Sequence, residues 1–307
     1  MILEVSNLNK TYPNGVMALR GVSFNLNKGE TLAVVGESGC GKSTLAKALM
    51  KIEEPELGEI TYAKESIKDL SIKKLSHKIQ MIFQDPHSSL NPRKKLIDLI
   101  REPLMIQGML SRQQVDDKIR KILNLIGFNE ESLKKYPHMF SGGQKQRICI
   151  ARALVVDPEI LICDEPVSAL DLSIQAQVLN LLKDIQSDKN LSYIFISHDL
   201  SVVKFISQRI MVMYLGEVVE IGSTKEIFEN PQHPYTQLLL QSIPQIGQKP
   251  TNVQLKSDEL PLNTVELKGC GFYSRCPYSR DKCKNEKPQF ENNVRCYYPL
   301  RNHDSKN

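Results

Sequence analysis

The sequence predicts an α/β fold with a largely parallel sheet, an inserted helical subdomain and a small loop-rich, cysteine-containing C-terminal extension. Three observations predict it. Short strand-like apolar runs alternate with longer helical stretches. A Gly-rich loop joins one such strand to one such helix. After Phe228 the composition shifts to Pro and Gln, and later to a cluster of cysteines.

The expected strands are Ser23–Leu26, Thr31–Val35, Ile79–Phe83, Glu159–Cys163, Ser192–Ile196 and Ile210–Tyr214. The expected helices are Ser43–Met50, Val115–Ile126, Ser141–Leu154 and Ser173–Ser187. From about Pro92 to Leu154 the chain has helical periodicity and no strand signal, so 92–154 reads as a helical subdomain set into the core. A boundary is placed near Asn230, giving a main α/β domain over 1–229 and an extension over 230–307. The stretch Asn230–Asn263 is rich in Pro and Gln, with one short helix candidate at Thr236–Ile243.

Hydrophobic residues make up 41% and charged residues 24% of the 307 positions, as in a soluble globular protein. No apolar run reaches the length of about 18 residues that a membrane helix requires. The N-terminus MILEVSNLNK lacks the basic and apolar regions of a secretory signal. The chain therefore reads as cytosolic. A net charge of +5 is mild and spread out; it reads better as a solvated mixed surface than as a site for nucleic acid or an anionic bilayer, and no nucleic-acid partner is expected. Seven cysteines in a cytosolic chain do not suggest a disulfide framework. Cys149 and Cys163 read as small packing residues, as does Cys40 within its loop.

Gly36 to Ser43 reads GESGCGKS between the apolar run TLAVV and a helix-prone stretch. This is the phosphate-binding P-loop pattern in its required strand–loop–helix context. Glycines let the backbone turn its N–H groups toward a polyphosphate, and the helix start adds partial positive charge. Lys42 is expected to reach the β- and γ-phosphates, and the Ser43 hydroxyl to ligate Mg²⁺. Gly36, Ser38, Gly39, Cys40, Gly41, Lys42, Ser43 and Thr44 are the candidate contacts of this loop.

Glu159 to Glu165 reads EILICDE, an apolar strand ending in an acidic pair. Asp164 suits the Mg²⁺ shell, and Glu165 suits a general base that polarises the attacking water. Ser141 to Arg147 reads SGGQKQR. Ser141 and Gln144 have capping-box spacing. Gly142 and Gly143 weaken a first helical turn, a cost that close approach of the backbone to an anion explains.

With these segments in view the chain resembles the ATP-binding subunits of ABC transporters. FSGGQ at Phe140–Gln144 is similar to the family signature, usually LSGGQ. Gln84 matches the Q-loop glutamine, which in the family senses Mg²⁺ and nucleotide. SALD at Ser168–Asp171 matches the D-loop, and His198 the switch histidine that holds the γ-phosphate and the water. Tyr12 sits where the family stacks an aromatic ring on adenine. QDPHSSLNPR at Gln84–Arg93, NPQHPYTQLLLQSIP at Asn230–Pro244 and the tail look like the dipeptide, oligopeptide and nickel importer branch. The resemblance implies a P-loop NTPase fold of the ABC type and ATP sandwiched between Lys42 and Ser43 of one subunit and Ser141 and Gly143 of a second.

It further implies two transmembrane permease subunits, a second ATPase subunit (a paralogue or another copy) and an extracytoplasmic substrate-binding protein. The chain is then peripheral on the cytoplasmic face of the membrane. Peptide is the expected substrate, with nickel or another chelated metal as the alternative. A soluble ABC protein acting on DNA or the ribosome is disfavoured, since the chain carries neither a second module nor a coiled-coil insertion. The importer-type tail disfavours an exporter.

The tail cysteines Cys270, Cys276, Cys283 and Cys296 follow C-x₅-C-x₆-C-x₁₂-C. Clustered thiolates suit a soft metal centre, and the spacing lacks the paired C-x₂₋₄-C of most zinc sites. A [4Fe–4S] cluster is the first expectation, supported by the resemblance; Zn²⁺ is the second and free thiols the third. The expected role is to tie the extension together. Because the extension holds no P-loop, acidic-pair or signature residue, the ATP site is expected to survive replacement of any one of these cysteines.

Overall fold

The computed structural model describes residues 1–108, 111–242 and 268–300. Its strands are β1 (Leu3–Thr11), β2 (Met17–Leu26), β3 (Thr31–Val35), β4 (Leu57–Tyr62), β5 (Glu65–Ser66), β6 (Ile79–Ile82), β7 (Ile160–Asp164), β8 (Ser192–Ile196), β9 (Arg209–Tyr214) and β10 (Glu217–Ser223). The chain divides into two compact units. One comprises Met1–Leu26, Glu30–Ser66 and Ile196–Asn307; the other comprises Asn27–Gly29 and Ile67–Phe195.

In the first unit β3 is buried along its whole length and pairs in parallel with β9, Ala33 opposite Ile210. Such double-faced burial is why Thr31–Val35 is apolar without alternation. β10 returns antiparallel to β9. A separate antiparallel sheet runs in the order β2-β1-β4-β5, and apart from the end of β2 it went unread in the sequence. In β1, Leu3 and Val5 alternate inward, but the register shifts between Val5 and Leu8, where Asn7 has φ +50°. A bulge of this kind breaks the two-residue period on which recognition of a strand depends.

The extension is built into the same unit. Tyr235, Phe272 and Cys276 share a core with Val35, Val212 and Tyr214. Ile221 N–H donates to the Asn293 carbonyl at 2.9 Å and Arg295 N–H to the Val219 carbonyl at 2.8 Å, so residues near 293 add backbone pairing to the β10 edge. The buried Glu220 carboxylate accepts the N–H groups of Gln232 and His233 at 2.7 and 2.9 Å. The helix candidate at Thr236–Ile243 is a helix over Pro234–Gln241; the part of that segment beyond Ser242 lies outside the described residues, as does most of the Pro- and Gln-rich stretch.

In the second unit β6 and β7 pair in parallel, Ile79 opposite Ile160, and β8 lies beside β7. The helix Arg112–Leu125 starts ahead of the expected Val115, because Ser111 and Gln114 form a full capping box. The helix Leu96–Gln107 was not singled out in the sequence; it carries Pro103 internally. The helices Gly142–Leu154 and Leu172–Lys189 lie within a residue or two of expectation.

Candidate nucleotide-binding site

In the first unit the loop after β3 is held open by glycine. Gly36 has φ +153° and Gly41 has φ +106°. A Cβ at Gly36 would lie 2.2 Å from the Met213 carbonyl oxygen, and one at Gly41 would lie 2.2 Å from that of Ala18. Neither contact is tolerable, so both positions demand glycine twice over. Gly41 is the N-cap of the helix Lys42–Leu49 and offers no side-chain acceptor to its first turn. The amides there stay open to an anion.

Lys42 is buried, and its Nζ donates to the carbonyls of Gly36 at 2.7 Å and Glu37 at 2.9 Å. The loop therefore folds around its own cation. Cys40 packs beside it, with Sγ 3.7 Å from Nζ; burial pushes the thiol up, while Lys42 opposes the shift. Ser38, Gly39 and Ser43 are exposed. Tyr12, half-buried, has its hydroxyl 3.3 Å from Thr44 Oγ1. His198 stands exposed after β8, and the next residue, Asp199, caps the helix Leu200–Ile206 through the N–H groups of Ser201 and Val202.

Sequence reasoning missed Glu37. Its N–H donates to Tyr235 Oη at 2.8 Å. Its carboxylate takes a two-pronged pair from Arg275, Nη1 to Oε2 at 2.8 Å and Nη2 to Oε1 at 3.0 Å. The extension thus touches the phosphate loop directly, a contact that sequence reasoning did not anticipate. A signal was present in the sequence, an unpaired-looking Glu inside a phosphate loop, but only the fold brings Arg275 to it.

In the second unit Asp164 ends β7 and is buried, and Glu165 follows with φ +46°. A left-handed glutamate is strained backbone, and such strain gathers at working sites. Gln84, just past β6, donates from Nε2 to Glu165 Oε2 at 2.9 Å. Parallel pairing of β6 with β7 places both side chains at the same strand ends. Ser168 N–H and Oγ both bond the Glu165 carbonyl, closing the turn that leads to Asp171. Asp171 caps the helix Leu172–Lys189, accepting from Ser173 Oγ at 2.7 Å and Ile174 N–H at 3.0 Å. Those bonds hold its carboxyl below the usual range.

Ser141 caps the helix Gly142–Leu154, and Gln144 completes the box by bonding the Ser141 N–H at 3.0 Å. The two glycines divide in function. A Cβ on Gly143 would lie 2.2 Å from Ile174 Cγ2, whereas one on Gly142 would meet nothing nearer than 3.7 Å. Helix packing therefore requires Gly143, a reason the sequence did not reveal. Phe140, which stands where the signature usually has Leu, is buried and stacks on Phe128 with centroids 5.5 Å apart.

Cys270, Cys276, Cys283 and Cys296 line one small cavity, with Phe272, Tyr297 and other residues of the extension. Burial pushes the Cys270 thiol up to about 12 and the Cys296 thiol to about 11, with the neighbouring cysteines adding to both shifts. Among the described residues no group of three or more His, Cys, Asp or Glu side chains is arranged to hold a metal ion. Cys149 and Cys163 are buried packing residues, as expected.

Residues 19–168 match the ABC transporter family, and residues 219–283 match the oligopeptide/dipeptide transporter C-terminal region. The chain is 47% identical to the di/tripeptide transport ATP-binding protein DppF of Pseudomonas aeruginosa, covering 92% of this chain and 90% of that one. It is 50% identical to the dipeptide transport ATP-binding protein DppF of Haemophilus influenzae (91% and 86% covered). It is 46% identical to the oligopeptide transport ATP-binding protein AppF of Bacillus subtilis (94% and 93% covered). Among solved structures, cbiO1 of Clostridium perfringens, part of the ABC transporter complex cbiONQ, matches with a TM-score of 0.68 at 32% identity, over 75% of this chain and 91% of that one. The ATP-binding cassette MJ0796, a dimer in a post-hydrolysis state with ADP and Pi, matches with a TM-score of 0.65 at 29% identity, over 73% and 99%.

Proposed function

The chain belongs to the ATP-binding subunits of dipeptide and oligopeptide ABC transporters, and from that premise we propose how its residues share the work. It is an ATPase that uses ATP and Mg²⁺ to drive peptide uptake through a membrane complex. The observation that carries this reading is likeness along nearly the whole chain, extension included, to peptide-transport ATP-binding proteins. The complex supplies two permease subunits, a second ATPase subunit and a substrate-binding protein. The chain works at the cytoplasmic face of the membrane as a peripheral subunit; among the described residues no helix is long and apolar enough to cross a membrane.

Lys42 and the amides from Ser38 to Thr44 hold the phosphates, and Tyr12 packs on the base. Ser43 and Asp164, with Gln84, would hold Mg²⁺, which would supply charge neutralisation at the phosphates. Glu165 takes the proton of the attacking water, Gln84 orients it, and His198 steadies the γ-phosphate end. Ser141, Gly142, Gly143 and Gln144, with Asp171, serve the ATP held by the second subunit. The division into an ATPase module over 1–229, with helical subdomain 92–154, and an extension from 230 fits this reading.

The cysteine cavity is proposed to hold a [4Fe–4S] cluster. All four cysteines line one cavity, and four thiolates from loops of varied length are the ligand set such a cluster uses. The C-x₅-C-x₆-C-x₁₂-C spacing lacks the paired C-x₂₋₄-C ligands of most zinc sites, so Zn²⁺ is kept as the alternative occupant. The test of function is uptake: cells lacking this chain are expected to lose accumulation of labelled di- and oligopeptides and to regain it with the wild-type chain but not with Lys42→Ala. Loss of nickel accumulation with intact peptide uptake would move the substrate assignment to chelated metal.

A further inference from the structure

Glu37 has three polar functions, and all three are engaged. Its carbonyl accepts from Lys42 Nζ at 2.9 Å and from Cys40 N–H at 3.2 Å, which ties it into the phosphate loop. Its N–H and its carboxylate instead go to the C-terminal extension, to Tyr235 Oη and to the Arg275 guanidinium. Arg275 is 8% exposed and Glu37 28%, so the pair is largely removed from water. A two-pronged Arg–carboxylate pair fixes orientation as well as distance.

Both partners are themselves fixed. Tyr235 is wholly buried and packs against Tyr214, centroids 4.5 Å apart, and against Phe272 at 5.4 Å. Phe272 meets Tyr214 edge-on at 5.3 Å, and the Arg275 guanidinium lies over the rings of Tyr214 and Phe272, each at 5.9 Å. This aromatic block carries the turn Cys270–Cys276, whose closing bonds run from the Arg275 and Cys276 N–H groups to the Phe272 carbonyl. One turn thus presents Arg275 to the phosphate loop and Cys270 and Cys276 to the cavity.

We infer that Arg275 and Tyr235 are positioning residues for nucleotide binding: through Glu37 they set the phosphate loop, so that ATP affinity depends on a docked extension. The clamp acts before chemistry. It holds the first peptide of the loop and the carbonyl that Lys42 leans on, leaving Ser38 and Gly39 exposed for ligand. Its loss is expected to raise KM for ATP with little change in kcat.

The experiment uses the full-length chain and a fluorescent ATP analogue, with thermal melting as a check on folding. Arg275→Lys keeps the charge but cannot make the two-pronged pair, and Glu37→Gln removes the carboxylate. Each is expected to weaken nucleotide binding about tenfold, the scale of one charge-assisted bond. The double variant is expected to bind no worse than the weaker single one, since both changes break the same contact. Tyr235→Phe keeps the ring packing and removes only the acceptor of the Glu37 N–H; it too is expected to lose affinity. Folded Arg275→Lys and Tyr235→Phe proteins that bind the analogue within twofold of wild type would overturn the inference, as would strictly additive losses in the double variant. Should Arg275→Lys not fold, Tyr235→Phe decides alone.

Discussion

The Gln84 side-chain amide donates to Glu165 Oε2 at 2.9 Å across 81 positions of sequence. The parallel pairing of β6 and β7 makes this contact, since Ile82 lies opposite Cys163 and the register carries Gln84 and Glu165 to matching positions beyond them. The proposed general base is therefore oriented by the residue proposed to sense nucleotide. Glu165→Gln keeps an acceptor for Gln84 but removes the basic oxygen. ATP binding is expected to persist while turnover in the assembled transporter falls about a hundredfold or more, the range of a positioned base. Near-normal turnover would refute the assignment.

The adjacent glycines of the signature helix should part company on substitution. At Gly143 a methyl group runs into Ile174 Cγ2, and overpacking of this kind costs about 1–3 kcal/mol. At Gly142 there is room, so alanine should stabilise the isolated chain by about 0.5–1 kcal/mol through helix propensity. Urea unfolding of the two variants measures both. If Gly142→Ala then lowers ATPase activity in the complex, the loss reports crowding of the bound ATP and not a weakened helix.

What the sequence made legible follows from locality. The phosphate loop, the acidic pair and the Ser141 cap are each written within a few residues, and each lies where its spacing indicated. β1 stayed hidden because the irregularity at Asn7 breaks its alternation, and the helix Leu96–Gln107 carries Pro103 inside it. Gly143 was read as a place for ligand approach because the packing partner Ile174 is on another helix. The Arg275–Glu37 pair joins residues 238 positions apart; no local pattern records it, and it is what makes the extension part of the phosphate loop's surroundings.

Asp157 offers a clean electrostatic test. It lies at φ +53°, a conformation that Asn also tolerates, so Asp157→Asn removes charge without backbone strain. Burial raises its carboxyl, but bonds from Lys118 and from Lys189, the latter at 2.9 Å, outweigh that and hold it below the usual range. The folded value lies below the unfolded one, so the stabilisation is present above about pH 4 and is lost as pH falls through the folded value. The side chain is half exposed, so the contribution is expected to stay under about 1 kcal/mol. Unfolding free energies of wild type and variant should differ at pH 7 and converge below pH 4; a gap independent of pH would show that charge is not the cause.

The cysteine cavity yields the most exposed expectation. Protein purified without oxygen should be brown and carry about four Fe per chain. Replacing any one of Cys270, Cys276, Cys283 and Cys296 by Ser should lose the iron and lower the melting temperature, because ligand binding at such a site is folding free energy. The loss should not stop at the cavity. Cys270 and Cys276 bracket the turn that carries Arg275, so Cys276→Ser is expected to weaken nucleotide binding in the same direction as Arg275→Lys. Cys283 and Cys296 lie beyond that turn, although the Cys270 N–H bonds the Cys283 carbonyl at 2.8 Å; their replacement should weaken nucleotide binding less. Stoichiometric zinc without iron would sink the iron–sulfur assignment while leaving the Arg275–Glu37 clamp standing. Iron loss with unchanged nucleotide affinity in all four variants would show that the clamp holds without the cluster.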